Sequence, residues 1–434
     1  MERILLCKPK MCGREIDFIK AALAEDWAVP LGPDCDAFEH ELENFVNKIS
    51  VHNEECTAHN EGCILNSQLD KRVAALVSGT AALHLALIAC GVGPGDEVLV
   101  QSFTFCASTN PIAYLGATPV FVDSEKETWN MDPGLLEEAI KDRIAKTGKK
   151  PKAIIPVALY GMPYRIEEIL EIANKYDIPV IEDAAEGFGS RYKGRVLGTF
   201  GRFGALSFNG NKMITTSGGG ALICPDAGTR DTVMWYATQA REGYPYYQHE
   251  VVGYNYRLSN ISACIGRAQM TVLDEHIAHH RHVQALYEEL LRDVDGIRMH
   301  TAPSPEFDSN YWLCTATLGP EVRVKGQENA YKKVITGAVG GAAGVTHTVA
   351  SATTDCQPND NVEALRMALD AAGIESRPLW KPMHKQPVYA NAPVYTNGIE
   401  EDLFKVGFCL PAGPYVSDDD VHYIVDCIKE AIVK

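Results

Sequence analysis

No stretch of this 434-residue sequence approaches the about 18 consecutive apolar residues that a membrane-spanning helix needs. The opening run Met1-Glu2-Arg3-Ile4-Leu5-Leu6 is too short for a secretory signal, so a cytoplasmic protein without membrane association is expected. Runs of lysine and arginine are missing as well. The net charge is −17, whereas a nucleic-acid binder needs a basic face, and Lys146, Lys149, Lys150 and Lys152 read as a solvated loop. The 13 cysteines contain no CxxC pair, which argues for reduced thiols and against a zinc site. Cys56 and Cys63, in a polar stretch, come nearest to a ligand pair. A dinucleotide fingerprint is also missing. Gly91-Val92-Gly93-Pro94-Gly95 and Gly218-Gly219-Gly220 both precede apolar runs, and neither has strand–turn–helix context. No internal repeat is present.

What remains is the balance of an ordinary globular chain, long enough to bury a large core. An amphipathic stretch opens at Gly13-Arg14-Glu15, and a second helix is expected from about Asp36 to Lys48. Residues 51–71 are polar and unpatterned and read as a surface excursion. From Arg72 short apolar runs alternate with helical patterns. The runs are 73–77, 97–101, 118–122, 153–159, 179–182, 204–208 and 219–224; the helices fall at 81–90, 105–115, 132–144 and 165–176. That alternation predicts an α/β fold with a mostly parallel sheet. The last two runs stand too close for an intervening helix and predict an antiparallel pair. Residues 260–292 are helical and lead toward a second domain. Residues 325–360, rich in Gly, Ala and Thr, read as an inserted loop.

Four segments carry chemistry. Ser78-Gly79-Thr80-Ala81-Ala82 joins a strand to a helix, where free N–H groups and the helix dipole favour an anion; an N-cap and tight turn is the plain alternative. Glu182-Asp183-Ala184-Ala185-Glu186 places carboxylates at a strand's C-terminal end, where α/β folds hold their sites. Such a carboxylate can pair with a protonated pyridine nitrogen. Ser207-Phe208-Asn209-Gly210-Asn211-Lys212 sets a lysine just past a strand, suited to an imine if its neighbours lower its pKa. Arg377-Pro378-Leu379-Trp380-Lys381-Pro382-Met383-His384 is a proline-stiffened cationic loop. Its Arg377 and Lys381 suit a diphosphate, unless nearby acids such as Glu375 take them.

This order of motifs resembles the DegT/DnrJ/EryC1/StrS family, fold-type I aminotransferases that use pyridoxal 5'-phosphate on nucleotide-linked keto sugars. The resemblance spans the chain apart from about 51–71 and 325–360, and takes in Gly32-Pro33 and Gly253-Tyr254-Asn255-Tyr256-Arg257. With Asn209-Gly210-Asn211-Lys212 and the 377–384 segment, the chain is most similar to the branch that aminates UDP-2-acetamido-4-keto-6-deoxyglucose toward bacillosamine-type sugars. The resemblance implies an aspartate aminotransferase-like fold, with a large cofactor domain over 1–275 and a small α+β domain over 276–434. It implies that Lys212 carries the cofactor and moves the substrate proton, and that Asp183 pairs with the ring nitrogen. Phe105 stacks on the ring, while Gly79, Thr80 and Ser207 hold the phosphate. Asn255 reaches the phosphate of a partner subunit in a homodimer. Glu186 lies near the ring hydroxyl, where many relatives carry His or Gln. Arg377, Trp380, Lys381 and His384 line the sugar-nucleotide site, and L-glutamate is the amino donor. The rival readings are a different substrate (a 3-keto or GDP-linked sugar), a sugar dehydratase, which Lys212 argues against, and a non-catalytic regulator on the same fold.

Overall fold

The computed structural model describes residues 3–49, 69, 71–331 and 356–433. Most of the 51–71 excursion, with Cys56 and Cys63, and the centre of the 325–360 insertion lie outside the described residues. Helices α1 (Glu15–Ala24) and α2 (Pro33–Val46) come first. The second buries Phe38, Leu42 and Val46, the four-residue spacing of one helix face.

Strands and helices then alternate: β1 (Arg72–Leu76), α3 (Gly79–Ala89), β2 (Glu97–Gln101), α4 (Asn110–Tyr114), β3 (Thr118–Val122), α5 (Pro133–Thr147), β4 (Ala153–Ile155), α6 (Ile166–Tyr176) and β5 (Ile181–Asp183). A small hairpin, β6 (Arg191–Tyr192) and β7 (Arg195–Val196), precedes β8 (Phe203–Ser207) and β9 (Gly220–Cys224). β2 pairs in parallel with β3 and β4, and β5 with β8. Parallel bridges Ile154↔Val180 and Val157↔Asp183 join these two halves. β9 runs antiparallel to β8 and to β1. The sheet is therefore mixed and mostly parallel, with the antiparallel pair at its expected place. Its strands are continuously buried because both faces are covered, and α3 is buried nearly all round for the same reason.

Beyond α7 (Ala227–Ala237) and α8 (Asn260–Met270), α9 (Leu273–Leu291) runs from one core to another. Leu273 and Ile277 belong to the core of the first sheet, and Val283, Tyr287 and Leu291 to a second core. That second core is built on β10 (Ile297–Met299), β12 (Cys314–Leu318), β13 (Arg377–Pro378) and β15 (Gly407–Leu410), all antiparallel. Helices α10 (Asp360–Ala371) and α12 (Asp418–Ala431) cover it. The strand β11 (Phe307–Asp308) pairs with β6. Two segments cross the division expected at residue 275. Ile4 bridges Ile374 beside the second core. Met383 and Tyr389 pack into the first, while β14 (Val394–Tyr395), just before α11 (Ile399–Val406), extends the sheet beside β3.

The structure departs from the expected elements at two places. The run 153–159 is a strand only to Ile155 and then turns at Leu159–Gly161. The helix expected over 105–115 is broken into a tight turn at Cys106–Ser108 and the short α4, with Pro111 in its first turn. Both breaks fall beside the site described next. No helix among the described residues is long and apolar enough to cross a membrane.

Candidate active site

The C-terminal ends of β1, β2, β5 and β8 surround a cavity of about 290 Å³. At the first end, Ser78 caps α3 by accepting the Ala81 N–H at 3.1 Å. Gly79 and Thr80 follow in the first turn, where N–H groups lack intrahelical acceptors, and both line the cavity. The capping and anion-site readings of this segment are thus compatible. Gly220 lies beneath the turn, where a Cβ would collide with the Gly79 backbone nitrogen. One member of the glycine run dismissed as a nucleotide fingerprint therefore lets the sheet approach the cavity's edge. Ser207, at the end of β8, also lines the cavity.

Asp183 ends β5 and is 5% exposed. Its Oδ2 accepts the Ser108 hydroxyl at 2.6 Å and its Oδ1 the Ala185 N–H at 3.1 Å. Burial pushes this carboxyl up, while Ser108, Ala185 and the charge of Lys212 pull it back. Ser108 is in turn 2.7 Å from the Thr104 hydroxyl. The break in the helix expected over 105–115 is what turns Ser108 onto Asp183.

Lys212 lies in the loop between β8 and β9, its side chain 13% exposed. Its Nζ is 3.4 Å from Glu186 Oε1 and 3.9 Å from the centroid of the Trp312 ring. Such an ammonium–indole contact is an electrostatic attraction to the ring face. The loop is pinned through its carbonyls on both sides of the lysine. Trp312 Nε1 donates to Asn211 O at 2.6 Å, and His276 Nδ1 stands 3.3 Å from Met213 O. Glu186 is buried, which raises its carboxyl, against the pull of Lys212 and of the Tyr160 N–H. That N–H donates to Glu186 Oε2 at 2.7 Å.

Phe105 and Trp380 face each other at the cavity wall, ring centroids 5.2 Å apart and tilted by 50°. The Trp380 indole N–H is buried without an acceptor among the described residues. All the residues expected to hold the cofactor from within one subunit line this cavity: Gly79, Thr80, Phe105, Asp183, Glu186, Ser207 and Lys212. Asn255 does not. It is exposed, next to Thr238 in an antiparallel bridge.

Three of the four residues expected for the sugar nucleotide lie outside the cavity lining. Arg377 is paired with Glu375 at 2.7 Å, two residues away on extended chain, where alternate side chains share a face. His384 is half-buried, its side chain 6% exposed, with Nδ1 at 2.8 Å from both Ser102 Oγ and Glu400 Oε1, and Nε2 at 3.3 Å from Glu401. Burial opposes its protonation, but the two carboxylates prevail and hold it above its ordinary pKa. Burial pushes the Glu400 carboxyl itself up to about 7. Lys381 is half-buried and makes no ion pair among the described residues. Sequence reasoning missed Ser108 and Trp312. Ser108 carries no motif, and Trp312 lies about 100 residues from the lysine beneath which it sits.

The donor set fits pyridoxal phosphate. Hydroxyls and helix-terminal N–H groups suit a phosphate, a buried carboxylate suits a protonated ring nitrogen, and an amine and an aromatic wall stand around the same cavity. Residues 67–336 and 327–429 match the DegT/DnrJ/EryC1/StrS aminotransferase family. A Bacillus subtilis protein named as a pyridoxal phosphate-dependent aminotransferase, EpsN, is 40% identical over 98% of this chain and 95% of its own. A GDP-perosamine synthase of Escherichia coli O157:H7 is 33% identical over 99% of both. Among solved structures, a DegT DnrJ EryC1 StrS aminotransferase from Brucella abortus superimposes with a TM-score of 0.77. It is 27% identical, over 96% of this chain and 95% of that one.

Proposed function

The chain belongs to the DegT/DnrJ/EryC1/StrS aminotransferase family and is a pyridoxal phosphate-dependent enzyme of nucleotide sugars; from that premise we propose that it aminates UDP-2-acetamido-4-keto-6-deoxyglucose at C4, with L-glutamate as donor, in the cytoplasm. The bound cofactor supplies an electron sink through which an amine and a ketone exchange places. The residues divide the remaining work. Lys212 Nζ would hold the cofactor and, once released, would move the substrate proton. Glu186 and Trp312 receive the ammonium form of Lys212 when it is free, the one by charge and the other by its ring face. Asp183, whose carboxylate accepts from Ser108 and Ala185, would pair with the ring nitrogen. Gly79, Thr80 and Ser207 would receive the phosphate.

The observation that carries the reading is the convergence of Asp183, Lys212, Ser207 and the first turn of α3 on one cavity with Trp380 at its wall. The buried indole N–H of Trp380, without an acceptor among the described residues, supports a substrate role, because a ligand acceptor would remove the penalty of leaving it unmet. Lys381, which makes no ion pair among the described residues, is left of these three cations for a diphosphate, because Arg377 and His384 have protein partners. Lys381→Ala should raise the sugar-nucleotide KM about tenfold, the scale of one hydrogen bond to a charged group. The glutamate half-reaction should be almost unchanged. Equal damage to both would return Lys381 to a general supporting role. The substrate itself is tested by incubating the glutamate-treated enzyme with a panel of keto sugar nucleotides. Turnover of a GDP-linked member alone would favour the second reading, which the GDP-perosamine synthase relative supports.

The same reading includes a homodimer with shared sites. Asn255 is exposed beside a stretch of exposed apolar side chains, among them Tyr247 and Val252 at 77% and 80%, and a symmetric partner would cover them. If Asn255 serves a neighbour's phosphate, Lys212→Ala and Asn255→Ala proteins should complement each other. Mixed dimers then contain one site with neither defect. Activity no higher after subunit exchange than before would show that each chain completes its own site.

A further inference from the structure

Tyr160 holds a backbone conformation that a bulky residue rarely takes, φ 54° and ψ 17°. Such left-handed residues persist only where their surroundings over-determine them, and here the surroundings are the site itself. The Tyr160 N–H donates to Glu186 Oε2 at 2.7 Å, and the other oxygen of that carboxylate faces Lys212. The Tyr160 hydroxyl accepts the Trp380 backbone N–H at 2.8 Å. Burial raises the phenol well above its ordinary pKa, so it remains a hydroxyl. The turn is closed on its far side by Gly161, at φ 94°, where a Cβ would collide with Asn310 Oδ1. Asn310 in turn donates to Glu186 O and Phe188 O, both at 2.9 Å. The two ends of Tyr160 thus touch the two halves of the site: its backbone the lysine's carboxylate, its side chain the loop that carries the aromatic wall.

We propose that Tyr160 is a positioning residue for the sugar-nucleotide half-reaction: its strained turn, seated on Glu186, fixes where its hydroxyl holds the Trp380 N–H and so where the indole stands against Phe105. This rests on the reading of Trp380 as part of the sugar-nucleotide site. The opposite end of the Trp380 loop is tied separately, by the Met383 N–H to Ser102 O at 2.8 Å and by His384. The near end is also held by the β13–β15 pairing and by the Leu379 N–H to Gly407 O at 3.3 Å, so loss of the Tyr160 hydroxyl frees the Trp380 amide itself and leaves both flanks of the loop held. It also leaves the Tyr160 N–H, a backbone group, on Glu186. A single side-chain change should then separate the two half-reactions.

Tyr160→Phe keeps the ring and removes only the oxygen. In the holoenzyme without substrate, hydrogen exchange in the peptide containing the Trp380 amide should quicken, while the cofactor absorption band and its bleaching by glutamate stay as in the parent. With UDP-2-acetamido-4-keto-6-deoxyglucose as probe, KM should rise about three- to tenfold, the yield of one neutral hydrogen bond. Unchanged exchange at Trp380 would overturn the proposal. So would parallel losses in both half-reactions with a lower Tm, because that is the mark of a general structural role. Trp380→Phe separates this from the underlying reading. If that variant leaves the sugar KM unaltered, Trp380 is no part of the substrate site; if it raises KM and Tyr160→Phe does not, the positioning role of Tyr160 is what fails.

Discussion

Lys212→Ala is expected to abolish steady-state transamination, a loss on the order of 10⁴-fold, the upper reach of a single proton-transfer group, while the protein remains folded. The reason for the second half lies in how the loop is held. Its anchors are the carbonyls of Asn211 and Met213, which receive Trp312 Nε1 and face His276, and neither depends on the lysine side chain. What the substitution removes is the cation between Glu186 and the Trp312 ring. Glu186, left without its counter-charge, should take up a proton, since burial already raises its pKa. Absorbance spectra and single-turnover assays with glutamate provide the measurement, with circular dichroism to check the fold. Steady-state turnover by Lys212→Ala without an added amine would refute the assignment.

Asp183→Asn should lower kcat by about 10²- to 10³-fold, the scale of removing one preorganised electrostatic group, with the cofactor still bound. Asparagine keeps the shape and can accept the Ser108 hydroxyl, but it carries no charge to hold a protonated ring nitrogen. Stability should move the other way in the apoprotein. The folded pKa of Asp183 is raised by burial, so the folded state binds this proton more tightly than the unfolded one. Folding stability is then lost as pH rises from the ordinary carboxylate range through the raised value. At neutral pH the apo form of Asp183→Asn should therefore resist heating at least as well as the parent. A kcat within a few-fold of the parent would remove Asp183 from the ring nitrogen, and a marked drop in apo Tm would make it a structural anchor.

Much of the cofactor site is legible without coordinates because its parts are local. A helix that begins one residue after Ser78, an acid that ends a strand and a lysine that follows one are each fixed by a few neighbouring residues. Each is also forced to one edge of the sheet by parallel pairing, which gathers strand C-termini together. The lapses occur where a partner distant in sequence intervenes. Residues 105–115 do not form one helix, because Ser108 is drawn to Asp183 across 75 residues. The strand expected to 159 stops early and ends in the Tyr160 turn, which closes on Glu186 and Asn310.

The sequence by itself determined the chemistry of this protein: which residue types stand in which order, and hence the family, the cofactor and the kind of reaction. Only the tertiary structure decided which of the candidate side chains are free to use that chemistry. Arg377 and His384 look as available as Lys381 along the chain, yet Glu375 takes the first, and Ser102 with Glu400 and Glu401 surrounds the second. Trp312 has no motif to mark it, yet it lies under the lysine. The physical reason is one of range. Backbone geometry and capping act over a few residues and can be read in order, whereas a buried charge is satisfied by whatever partner the fold brings within about 3 Å, at any separation along the chain.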